Sequence, residues 1–195
     1  MIAGYHVIFS TYGFWLPNDP RGSWSDFVGS WALLRHGTAT KTTESRSLAR
    51  RQHDRASRIA AKESLQYPPE RFTGLQARAV ARGFGRYVQR SGLQIWACAV
   101  MPDHVHLVFA NWAMNAERTV IQLKGAATEQ LEREGIHPLA EWRSASGKTP
   151  KCFVRGHWKV FLPPEGVRRA IRYVEANPLK DGKKRQKWSF VVPYL

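Results

Sequence analysis

The chain has 195 residues, 43% hydrophobic and 12% aromatic, with eight Trp. That is the size of one domain with enough apolar surface for a packed core, which excludes wholesale disorder. Thirty Lys and Arg stand against fifteen Asp and Glu, a net charge of +15, and a single-sign field of that size points to a polyanionic partner, nucleic acid before a membrane surface.

The opening residues show no signal-peptide pattern, and the most apolar stretch, residues 93–113, is broken by Pro102, Asp103, His104 and His106, so it cannot span a bilayer. Two cysteines, Cys98 and Cys152, make no disulfide framework or zinc-ribbon spacing. The expectation is a cytoplasmic, nucleoid-associated protein with no membrane partner.

In chain order, residues 5–11 are β-branched and aromatic and predict a strand that stops at Gly13. Residues 17–66 predict a loop-rich basic insertion: Pro, Asn, Asp and Gly set turns early in it, and a short helix is expected over about 44–61. A helix is predicted over about 69–90, with Leu75, Val80, Phe84, Tyr87 and Val88 on its apolar side and Arg78, Arg82, Arg86 and Arg90 every fourth residue. Ser91-Gly92 ends it.

Residues 93–100 and 104–110 predict two strands joined by Met101-Pro102-Asp103. A helix over 116–133 presents Val120, Ile121, Leu123, Ala127 and Leu131. A loop over 135–156 follows, then a strand over 158–162 and a helix over 163–177 opened by Pro163-Pro164 and closed by Asn177-Pro178. A basic tail, 179–195, completes the chain. Without the insertion the order is βαββαβ with an added helix. This predicts a single α+β domain with a ferredoxin-like antiparallel sheet and helices packed on it.

Two segments carry chemistry. In Met101-Pro102-Asp103-His104-Val105-His106 the strand alternation turns His104 and His106 to one face, where two imidazoles can share a divalent cation but need a third ligand from elsewhere. Taken alone, such a pair reads as polar positions on a half-exposed strand. Asp103 reads as a turn residue. In the last helix Tyr173 and Asn177 lie four apart on one face, with Arg169 a turn earlier. Tyr is a possible nucleophile, and the Asn carbonyl is a suitable hard ligand for Mg²⁺ or Mn²⁺. Taken alone, Tyr173 reads as packing and Asn177 as a helix C-cap.

Together the segments resemble the single-tyrosine transposases of the His-hydrophobe-His nuclease superfamily, in particular the REP-associated tyrosine transposases. These carry Met-Pro-Asn/Asp-His-hydrophobe-His on a strand and Tyr-x-x-x-Asn-Pro on a later helix. The resemblance spans residues 5–16 and about 84–181. It implies an enzyme, a nuclease and strand transferase acting on single-stranded, hairpin-bearing DNA. His104, His106 and Asn177 would hold Mg²⁺ or Mn²⁺. Tyr173 would be the nucleophile, forming a 5′-phosphotyrosine link. The pattern singles out no general base.

The expected DNA contacts are Arg82, Arg86 and Arg90, then Arg168, Arg169 and Arg172, then Lys183 and Lys184. Arg46, Arg50, Arg51, Arg55 and Arg58 make the insertion a further candidate arm. Trp15, Trp24, Trp31, Trp112 and Trp142 are candidate stacking surfaces. A monomer with the tyrosine helix docked in cis is expected, against a homodimer. The competing function is a nucleic-acid-binding protein on the same fold without transposition activity. The aromatic signature of RNA-recognition modules is missing from the strands, since Arg82-Gly83-Phe84-Gly85 falls in a predicted helix.

Overall fold

The structure, a computed structural model, describes residues 1–17, 19, 28, 30–39 and 54–195. Its elements in chain order are β1 (Gly4–Ser10), α1 (Trp31–Leu34), α2 (Arg55–Glu63), α3 (Gly74–Ser91), β2 (Ile95–Val100), β3 (His104–Ala110), α4 (Ala116–Arg133), β4 (Trp158–Leu162) and α5 (Pro164–Lys180). They fall into two compact units, Met1–Thr11 with Arg71–Leu195, and Tyr12–Glu70.

The larger unit is an α+β sandwich on a four-stranded sheet of order β2-β3-β1-β4 with every neighbour antiparallel. This is the ferredoxin-like arrangement. Alternation sorts the two faces. Tyr5, Val7 and Phe9 of β1 and Val105, Leu107 and Phe109 of β3 pack with Val80, Phe84, Val120 and Leu123 of α3 and α4. On the opposite face Trp96, Ala97, Ala99 and Val108 pack with Val167, Ala170 and Val174 of α5. Trp96 and Ala97 share that cluster because the β2–β3 register shifts between Ile95 and Ala97.

Several boundaries differ from the sequence expectation for local reasons. Helix α3 starts at Gly74, not near 69, because Thr73 and Gln76 form a reciprocal capping box. It ends at Gly92, whose φ of 73° supplies the left-handed cap. Leu75 and Ile121, expected on apolar faces, are exposed. Helix α5 does not close at Asn177-Pro178 but runs to Lys180. Pro178 forfeits one backbone hydrogen bond in the last turn, and termination waits for Gly182 at φ 66°, where Lys183 N–H returns to Pro178 O at 2.9 Å.

The tail expected to be a basic arm does two jobs. Lys183 and Lys184 are exposed, but from Gln186 onward the chain covers the free edge of β2. The Gln186 amide donates to Val100 O (2.8 Å) and accepts from Val100 N–H (2.7 Å). The Trp188 indole donates to Cys98 O, and Val192 N–H donates to Ile95 O. An unpaired sheet edge is thereby closed.

In the second unit Asp54 caps α2 through Ser57 N–H, and the Tyr12 and Tyr67 rings meet at 5.8 Å. The helix expected over 44–61 appears as α2 within the described residues; its first part, with Arg46, Arg50 and Arg51, lies outside them, as does Trp24.

Helices α3 and α4 cross where a Cβ on Gly83 would stand 2.5 Å from Ala126 O and 2.8 Å from Ala127 Cα, whereas one on Gly125 would meet open space. Gly83→Ala is expected to lower stability by about 1–3 kcal/mol by forcing the helices apart. Gly125→Ala is expected to raise it by up to about 1 kcal/mol through helix propensity. Equal shifts of the two variants in chemical denaturation would contradict this crossing.

Candidate functional site

The α5 face of the sheet is where the polar residues gather. Met101 N–H bonds to His104 O, closing the turn that starts β3, and Thr11 Oγ1 donates to Asp103 O. From there His104 and His106 alternate onto the α5 side, opposite Ser10 and Ile8 of β1. His6 lies two residues along β1 from Ile8, on the same side.

His106 and His6 are both buried. Their rings lie nearly parallel at 5.5 Å, with His106 Nδ1 and His6 Nε2 3.2 Å apart. His104 sits nearer solvent, 20% exposed, with its ring edge-on to His106 at 4.8 Å. Its Nδ1 is 2.8 Å from Asp103 Oδ1, and the other carboxylate oxygen of Asp103 takes Arg71 at 2.9 Å. The carboxylate expected only to shape a turn therefore also orients an imidazole.

Tyr173 projects from α5 over these rings. Its centroid is 5.7 Å from those of both His6 and His106, and it remains 45% exposed. Lys180 Nζ stands 4.2 Å from the Tyr173 ring centroid. Asn177 is buried, and its Nδ2 donates to Tyr173 O at 2.9 Å, which fixes the amide and assigns the lone pairs to Oδ1. It is an interior residue of α5, not the C-cap.

Burial governs the electrostatics. It lowers the His6 pKa to about 4. It also lowers that of His106, with further lowering from the charges of His104, His6 and Lys180. Both imidazoles are neutral at pH 7, as cation ligation requires.

Among the described residues no three His, Cys, Asp or Glu side chains group into a cation cage. The donor set here is of another kind: two imidazoles and an amide. It fits a divalent cation in its chemistry. With one nitrogen of each His engaged by Asp103 or His6 and the Asn177 amide nitrogen engaged by the helix backbone, the coordinating atoms would be Nε2, Nε2 and Oδ1.

The structure brings His104, His106 and Tyr173 together and sets Asn177 one turn beyond Tyr173. Arg169 and Arg172 are exposed on α5, while Arg168 lies 5.5 Å from the Tyr194 ring. Arg82, Arg86 and Arg90 belong to α3, on the far face of the sheet. There Arg82 holds Glu134 through two nitrogens, Arg86 donates to Gln130, and Arg90 stands over the Tyr87 ring. They line the helix with charge but are partly committed to packing. Beside them an open groove of about 750 Å³ runs between α3 and the tail, lined by Arg78, Arg82, Arg86, Trp188 and Phe190 among others. Of the candidate stacking residues, Trp31 and Trp142 are exposed. Trp15 packs edge-on to Phe14, and Trp112 is an anchor whose indole donates to Thr119 Oγ1.

Sequence reasoning missed His6 and the places of Lys180 and Trp158. The signal for His6 was present: Tyr5, Val7 and Phe9 alternate as core residues, which turns His6 to the face of the His-x-His strand. Trp158, on the neighbouring strand, meets the His6 ring edge-on at 5.5 Å.

No family model and no curated protein matches the chain. Solved structures similar to it include two transposase structures. One is a REP-associated tyrosine transposase bound to a REP hairpin, 10% identical with a TM-score of 0.47, the match covering 93% of this chain and 70% of that one. The other is a candidate transposase from Deinococcus radiodurans R1, 12% identical with a TM-score of 0.37, covering 94% and 93%. Among the described residues no helix is long and apolar enough to cross a membrane.

The depressed His6 pKa makes a stability prediction. An unfolded imidazole titrates near 6.5, so between that pH and about 4 the unfolded chain binds a proton that folded His6 refuses. Stability therefore falls as pH drops through this window. From pH 7 to pH 5 the expected loss from His6 alone is on the order of 2 kcal/mol. Denaturant titrations should show the drop in the wild type and a shallower one in His6→Gln; identical slopes would contradict the assignment.

Proposed function

We propose that this protein is a metal-dependent single-stranded DNA endonuclease and strand transferase, a transposase in activity, with Tyr173 as nucleophile. The observation that carries the reading is the edge-on contact of a half-exposed tyrosine with the buried imidazole of a His-x-His strand, reached from a separate helix. Core packing alone has no use for three imidazoles and a phenol on one face of a sheet.

In this reading His104, His106 and Asn177 would hold Mg²⁺ or Mn²⁺. Such a cation supplies charge at the non-bridging phosphate oxygens and at the departing 3′-oxygen. The phenol oxygen of Tyr173 attacks phosphorus, forming an O–P bond as the P–O3′ bond breaks. The phenolic proton passes to solvent and the 3′-oxygen leaves as a hydroxyl. That hydroxyl can later attack the phosphotyrosine and restore a phosphodiester, so the energy of the broken bond is conserved in the covalent link. Lys180 places a positive charge at the face of the ring.

The partner in this proposal is single-stranded DNA, with a hairpin beside the cleavage site. The net charge of +15 supports a polyanion. Exposed Arg169 and Arg172 flank Tyr173, and Lys183 and Lys184 follow the helix end, so phosphates on both sides of the nucleophile meet cations. The α3 arginines lie on the opposite face, so a bound strand that reaches both must pass around the sheet. The proposal places the protein with the nucleoid and as a monomer.

The test is incubation of the purified chain with a pool of labelled, hairpin-bearing single-stranded oligonucleotides and Mn²⁺, resolved on denaturing gels. The wild type is expected to give cleaved strands and a protein–DNA adduct, both lost with EDTA. Tyr173→Phe is expected to bind the same DNA and to cut at least a thousandfold more slowly, on the order expected when a nucleophile is removed. Undiminished cleavage by Tyr173→Phe would exclude this mechanism. Retention of the pool without an adduct by the wild type would favour a binding protein on the same fold.

A further inference from the structure

We infer that His6 is a positioning residue that fixes the tautomer and ring plane of His106, so that His106 presents Nε2 to a divalent cation. The inference rests on the metal-site reading above and extends it to a residue on another strand.

His106 Nδ1 and His6 Nε2 face one another at 3.2 Å with both rings buried, and two neutral imidazoles in such contact must divide the roles: one nitrogen carries the hydrogen and the other accepts it. If Nδ1 of His106 donates, its Nε2 keeps a lone pair and can ligate. If Nδ1 accepts, Nε2 bears the hydrogen and ligation there is blocked. Only the first division is compatible with a cation at Nε2, and it requires His6 Nε2 to be the acceptor, hence His6 protonated at Nδ1.

The surroundings hold His6 in place for that role. Its ring is packed edge-on by Trp158 of β4 and by Tyr173 of α5, and β1 is hydrogen-bonded on both sides within the sheet. His104 receives matching support of a different kind, with the Asp103 carboxylate accepting from its Nδ1. Each member of the His-x-His pair thus has its own partner at Nδ1: a carboxylate for the one nearer solvent, a neutral imidazole for the buried one. A carboxylate beside His106 would bring an unpaired charge into an apolar layer, whereas an imidazole gives the same acceptor without it.

Two measurements on the intact chain test this. Long-range ¹⁵N–¹H correlation spectra at pH 7.5 of the metal-free wild type are expected to show His106 protonated at Nδ1 and His6 at the same position of its own ring. A wild-type spectrum with the His106 hydrogen on Nε2 overturns the inference without any variant. The second is Mn²⁺ affinity by calorimetry or electron paramagnetic resonance. His6→Leu is expected to weaken Mn²⁺ by about ten- to a hundredfold, the usual effect of losing an outer partner of a ligand. His6→Gln, whose amide oxygen takes the place of Nε2, should recover most of that loss.

His106→Ala separates this inference from the reading beneath it. If His106→Ala loses Mn²⁺ while His6→Leu binds like the wild type, the role of His6 is wrong and the site stands. If His106→Ala binds Mn²⁺ like the wild type, the metal site falls and the inference falls with it. If His6→Leu and His6→Gln abolish binding as completely as His106→Ala, His6 is itself a ligand and the positioning role is overturned.

Discussion

The antiparallel register between β1 and β3 is the constraint on which the rest depends. It sets Ile8 opposite His106 and Ser10 opposite His104, and it brings His6 within hydrogen-bond reach of the buried imidazole. A slip of one residue would turn His104 and His106 into the layer beneath α3 and α4 and put Val105 and Leu107 in their place. That register is protected by the large side chains on the other face: Phe9, Leu107 and Phe109 are fully buried there and leave no alternative pairing that keeps the core apolar. The core on one side of the sheet therefore secures the chemistry on the other.

Helix α5 completes the arrangement by covering the polar face instead of leaving it to solvent. Its apolar residues Val167, Ala170 and Val174 pack on Trp96, Ala99 and Val108, and Tyr173 meets the His6 and His106 rings edge-on. Burial there costs stability, since neutral His6 and His106 must give up the protons that water would offer them at mildly acidic pH. In exchange both imidazoles keep a lone pair at neutral pH, as the proposed cation site requires of His106. The continuation of α5 through Pro178 serves the same end. Asn177 stays helical and buried and spends its amide hydrogens on Tyr173 O, so the carbonyl end of the side chain is the one left to a ligand.

Much of this was legible in the chain. Alternation in 104–110 and the four-residue step from Tyr173 to Asn177 are local properties, and they placed both segments on the right element types. The α+β class with an antiparallel sheet followed from the order of the elements. Two helix boundaries and two long-range contacts were not disclosed. The start expected near residue 69 gave way to Thr73 with Gln76, because a reciprocal cap satisfies two backbone groups at the start of α3. The Asn-Pro pair looked like a stop, yet a proline in the last turn costs only one hydrogen bond. His6 looked like an ordinary strand residue, because its meaning depends on the register with a strand 100 positions away. The tail's edge-covering role rests on Gln186 imitating a strand backbone with its side chain, which no periodicity announces.

The most direct test of the account is a crystal structure of the protein grown with Mn²⁺, with data collected at the manganese absorption edge. One anomalous peak is predicted, bonded to Nε2 of His104, Nε2 of His106 and Oδ1 of Asn177, with the Tyr173 hydroxyl facing it across the space a phosphate would fill. A peak bonded to other residues, or none on the α5 face at saturating Mn²⁺, would contradict the reading of this sheet face as a metal-dependent cleavage site.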